Sequence, residues 1–105
     1  NEKGQPYAQI AEWLAERGGG EAVVMVGSPS AFHWYTGHLA IAVPNEPLDT
    51  ILAVADRYGA RYLVLDGSRS RPTDGLYEGQ VSHPRLTLRQ TIGGDERILL
   101  FEVGP

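Results

Sequence analysis

The chain has no cysteine, one methionine and a single lysine, and it holds no long apolar run. Each shortage excludes something. Without cysteine there is no disulfide, no thiol nucleophile and no thiolate metal site, and the redox compartment is left open. Without a run of about eighteen apolar residues the chain does not span a bilayer by itself. Apart from Lys3, every basic side chain is an arginine, and these are scattered along a chain of formal net charge −4. Nucleic acid requires a clustered basic stripe, so that class of partner is set aside. The preference for arginine reads as a genomic bias. No stretch reads as a secretory signal, and the only methionine, Met25, is internal. The expectation is a domain excised from a larger protein, residues 1–5 being frayed or tag-derived.

What is present is an ordinary globular composition. A chain of 105 residues, 42% hydrophobic and 21% charged, is expected to form a single domain that buries about 65% of its unfolded surface. Three short apolar runs, Ala22–Val26, Leu39–Val43 and Tyr62–Leu65, are continuous rather than alternating. That pattern fits strands buried on both faces of a parallel sheet. Between them lie helical segments. One begins near Pro6 and ends at Gly18-Gly19-Gly20, and a short one covers Ala31–Tyr35. In the third, Leu48, Ile51, Leu52, Ala55 and Tyr58 make one apolar face, with Asp49 and Arg57 matched to the helix dipole.

Residues 67–84, rich in Gly, Ser, Pro and Arg, read as a long loop, functional or mobile. Leu86, Leu88 and Ile92 alternate with polar residues, and a Gly93-Gly94-Asp95-Glu96 turn leads to Arg97–Val103, an antiparallel hairpin. The fold class is α/β: a small three-layer sandwich with a mixed sheet of about five strands, three parallel with helical crossovers plus the hairpin. Right-handed crossovers predict the order 2-1-3 for the parallel part, with the hairpin beside the third strand.

Ligand sites of such sheets lie at the carboxyl ends of the strands. The candidates there are Ser28 and Ser30, on a turn that caps a helix or offers amides to an anion, and Asp66, which ends the third strand. One glycine, Gly27, falls short of the dinucleotide fingerprint, and Pro29 removes an amide. His33 and His38 are five residues apart, not the three or four that one helical face needs, so metal pairing with Asp66 or Asp74 is not expected. No nucleophile elbow surrounds Ser28, although Ser28, His33 and Asp66 can converge at the strand ends. Asp66 with Asp74 or Glu78 meets the glycosidase requirement by location only. No catalytic residue, metal or cofactor is assigned. The group Phe32, His33, Trp34, Tyr35 is the most unusual local feature, because a helix this short cannot turn all four inward. His33, Trp34 and Tyr35, with Tyr77 from the long loop, are candidate contact residues.

The order of several segments carries a resemblance. Ala11-Glu12-Trp13-Leu14 precedes the Ala22–Val26 strand and Pro29. Tyr35-Thr36-Gly37, Val43-Pro44, the run from Val54 to Asp66 and His83-Pro84-Arg85-Leu86 follow. The chain resembles the soluble C-terminal domain of bacterial multi-spanning membrane proteins similar to the dolichyl-phosphate-mannose–protein mannosyltransferases, which are polyprenyl-phosphate-sugar-dependent glycosyltransferases. The resemblance runs over most of the chain, from Pro6 to Val103. In that family the chemistry lies in an acidic loop of the membrane part, to which nothing here corresponds. The resemblance therefore implies a non-catalytic accessory domain on the extracytoplasmic side of the membrane. Its partners would be the membrane-embedded part of the same polypeptide and a sugar or polyprenyl-phosphate sugar. Two alternatives stay open: a free-standing Rossmann-like module for a small phosphorylated or sugar ligand at Ser28, Ser30 and Asp66, and a small hydrolase using His33 or His38.

Overall fold

A computed structural model of the chain describes residues 4–93 and 96–105. The expectation of fraying at residues 1–3, and the Gly94-Asp95 part of the hairpin turn, lie outside the described residues. The elements run α1 (Gly4–Glu16), β1 (Val23–Val26), α2 (Pro29–Thr36), β2 (Ala40–Ala42), α3 (Leu48–Tyr58) and β3 (Ala60–Leu65). A 3₁₀ turn (Arg71–Thr73), α4 (Asp74–Tyr77), β4 (Leu86–Ile92) and β5 (Ile98–Val103) complete the order. Helix α1 starts earlier than the sequence suggested, so Gly4 and Gln5 are helical, with Pro6 in the first turn, where its missing N–H costs nothing.

The sheet order is β2-β1-β3-β5-β4. Strand β1 pairs parallel with β2 and β3, whereas β5 is antiparallel to both β3 and β4. This is the expected mixed α/β sandwich, and the parallel order is the one that right-handed crossovers require. Tyr7, Ile10 and Leu14 of α1 and Phe32 of α2 cover one face through Val24, Val26, Val64 and Leu100. Ile51, Leu52 and Ala55 of α3, with Leu76 and Tyr77 of α4, cover the other through Met25, Leu63, Leu65 and Phe101. Alternate residues of β1 thus enter opposite cores, which explains its unbroken apolar run. Val24, Met25 and Val26 are all 0% exposed.

Four local readings need correction. Strand β2 is not buried on both faces; Ala40 and Ile41 are half-buried and Ala42 is exposed, because β2 is an edge strand with one neighbour. Tyr58 falls outside the apolar face of α3, at the last helical position before left-handed Gly59 turns the chain into β3. Residues 67–84 are not irregular throughout, since they contain the 3₁₀ turn and α4. In β4 the register shifts between Leu88 and Gln90. That bulge interrupts the alternation, so Leu86 joins the core beneath α3 and Ile92 the core beneath α1.

Candidate functional site

Strand β1 leads away to β2 on one side, and β3 leads towards the hairpin on the other. The crevice between their carboxyl ends is therefore the topological switch point, where open α/β sheets hold ligands. Asp66, directly after β3, sits there and is 1% exposed. Its Oδ2 accepts a hydrogen bond from the Tyr7 hydroxyl at 2.5 Å, and its Oδ1 accepts from the Ser68 N–H at 2.8 Å. The backbone oxygen of Asp66 accepts from Arg69 Nη1 at 3.1 Å. A buried carboxyl is tolerated only when its oxygens are satisfied in this way.

Tyr7 comes from α1, on the far side of the chain in sequence, and is fully buried. Burial first, then the hydrogen bond to Asp66 and the nearby negative charges of Asp66 and Glu96, hold its phenol pKa far above the ordinary tyrosine value. The phenol is thus a proton donor that keeps its proton. On the β1 side, the Ser28 hydroxyl donates to Ser68 Oγ at 2.9 Å. Gly27 lies so close to the Ser68 backbone that a Cβ there would overlap the Ser68 carbonyl. A Cβ on Gly67 would overlap the Glu96 carboxyl, which lies across this end of the sheet. The two strand-end loops are in contact. Hydrogen bonds and close contacts among the protein's own groups cross the switch point.

The structure brings Ser28 and Asp66 into one hydrogen-bonded chain through Ser68, and Tyr35 approaches it from α2, its ring 6.3 Å from that of Tyr7. The other candidates lie elsewhere. Ser28 is the residue before α2 but makes no side-chain cap, and Ser30 is exposed in the first turn. His33 Nδ1 donates to the His38 carbonyl at 2.8 Å, and His38 Nδ1 to the Ala22 carbonyl at 3.2 Å. Ser28 and Asp66 both engage Ser68, whereas His33 is bound to the His38 carbonyl, so the three form no relay. Trp34 is 82% exposed, whereas Phe32 of the same helix is 0% exposed. Tyr77 is buried in the opposite core from Phe32, with the sheet between them.

Asp74 is held by Arg69 at 2.9 Å, whereas Glu78 only approaches Arg97, at 3.9 Å. Among the described residues no three histidine or acidic side chains gather to hold a metal, and no helix is long and apolar enough to cross a membrane. Sequence reasoning missed Tyr7, Gly27, Ser68 and Glu96. Tyr7 shares the apolar face of α1 with Ile10 and Leu14, and its hydroxyl on that face was the available signal. Compared with known proteins, no family model matches the chain, and no curated protein or solved structure matches it.

Proposed function

We propose that the chain is a non-catalytic accessory domain of a polyprenyl-phosphate-sugar-dependent membrane glycosyltransferase, held on the extracytoplasmic side and acting through surface contact. One observation carries the non-catalytic part of this reading: the Tyr7–Asp66–Ser68–Ser28 chain engages with one another the polar groups that a fold of this type would turn towards its substrate. A buried carboxyl with both oxygens engaged, and a phenol that keeps its proton, hold the strand ends together. The order of segments from Pro6 to Val103 supports the family assignment. Exposed Trp34 supports contact with a partner, since an indole at 82% exposure covers nothing in its own core.

The same geometry disfavours the free-standing ligand module, for which Ser28, Ser30 and Asp66 would have to face one cavity. The test uses the parent reading frame and the full-length protein. Several upstream apolar segments of about twenty residues each, with an acidic pair in an early outside loop, support the assignment. Absence of such segments overturns it. In the full-length parent, Trp34→Ala is expected to lower sugar transfer while the domain stays folded. Unchanged transfer removes the contact role, and saturable binding of a sugar phosphate at Ser28 would revive the ligand module.

A further inference from the structure

The opposite face of the sheet carries a second concavity, independent of the accessory-domain reading. Helix α3 covers β1 and β3, and among the described residues no helix of comparable length lies over the β4–β5 hairpin on that face. The gap is a groove of about 460 Å³, walled by Leu76, Val81, Leu86, Leu88, Leu99 and Phe101. Leu88 and Val81 at its rim are each 49% exposed, whereas Leu99 and Phe101 at its floor are 5% exposed. Its size falls within the roughly 300–1,000 Å³ of small-molecule pockets.

Arg97 stands at this groove, and it is anchored rather than free. Its Nη2 donates to the Tyr77 carbonyl at 2.9 Å, the Tyr77 hydroxyl donates back to the Arg97 carbonyl at 2.6 Å, and the guanidinium lies 4.6 Å from the Tyr77 ring centre. The groove's other charge, Glu78, approaches Arg97 only to 3.9 Å, outside hydrogen-bond range, with both side chains about half exposed. Such a pair is weak in water and easily displaced. A single bond to a neutral carbonyl leaves a guanidinium with further donors for an anion.

We propose that this groove binds a single-chain amphiphile, its apolar chain against Leu88, Leu99 and Phe101 and its anionic head on Arg97 in place of Glu78. A protein partner fits less well. The groove's lining of twelve residues is about half the 20–30 residues a side of a stable interface. The bulge beside Leu88 also disturbs the edge on which an added strand would have to pair.

The experiment titrates the 105-residue chain with dodecyl phosphate below its micelle concentration, following methyl and amide shifts by NMR, with dodecanol, inorganic phosphate and anionic phospholipid vesicles as comparisons. Saturable shifts at Val81, Leu88 and Leu99 are expected, with dodecyl phosphate binding about tenfold more tightly than dodecanol, the size of one charge-assisted hydrogen bond. Arg97→Gln is expected to remove that advantage and leave dodecanol binding unchanged, and Glu78→Gln to strengthen dodecyl phosphate binding. If Arg97→Gln fails to fold, Leu88→Glu at the exposed rim is expected to abolish binding of both amphiphiles. Shifts elsewhere, equal affinity for the two amphiphiles, or response only to vesicles overturns the proposal.

Discussion

The strand-end crevice and the hairpin groove differ in a way that topology alone does not convey. The crevice stands where open α/β sheets place their ligands, yet the chain fills it with Asp66, Ser68 and Ser28 in mutual hydrogen bonds, beneath Tyr7 and Glu96. The groove stands where the fold assigns no function, and it is open because the α3 layer stops short of the hairpin. The crevice is polar, with Asp66 buried and Ser28 and Ser68 half-buried in its hydrogen-bonded chain. The groove is apolar, half exposed and open. A topological position thus states where a site can form, and the side chains decide whether space is left for one.

The contrast can be broken most strongly at Gly27. A methyl group there meets backbone rather than a movable side chain, so Gly27→Ala is expected to destabilise the fold by about 3 kcal/mol. Gly67→Ala meets only the flexible end of Glu96 and is expected to cost less than about 1 kcal/mol. Urea denaturation of the two variants checks this, and equal costs would show that the loops are not locked together.

Tyr7→Phe comes next. It strips one partner from buried Asp66, with an expected loss of about 2 kcal/mol at neutral pH. Because the folded phenol pKa is raised, the stabilisation is fully present below the unfolded tyrosine value of about 10 and is lost as pH rises above it. The wild-type chain should therefore lose up to about 1.4 kcal/mol per pH unit there through this one proton. The Phe variant should lack that component, and denaturation between pH 8 and pH 11, about the range that brackets the unfolded value, measures it. The smallest effect belongs to the groove. Leu88→Thr, at a rim position 49% exposed, is expected to change stability by no more than about 0.5 kcal/mol. A larger loss would mean that the groove is part of the core.

The readability of the sequence followed the range of the interactions. Helix α3 was legible because its determinants, apolar spacing, end charges and a terminal glycine, all lie within its own twelve-odd positions. The parallel order was legible because connection handedness restricts the choices. Helix α4 was not, since Asp74-Gly75-Leu76-Tyr77 is one turn long and contains a glycine. The bulge in β4 was not either, because the mismatch is defined by its partner β5 rather than by β4 itself. At the strand ends, Asp66 was legible by position, but Tyr7 lies 59 residues earlier and nothing local links them. The groove draws its walls from α4, the following loop and the hairpin, so no local pattern marks it.

The position of β5 has a consequence for the order of assembly. The last strand in the chain is interior to the sheet, between β3 and β4, and its Leu100 packs in the same core as Ile10 and Leu14 of α1. During synthesis, α1 gains Phe32, Val24, Val26 and Val64 as cover early, but Ile98 and Leu100 only late, and β3 must wait for its second neighbour. Long-range closure of this kind slows folding. A nascent chain halted before residue 98 would present a partly covered core and an unpaired strand edge, a natural target for a holding chaperone.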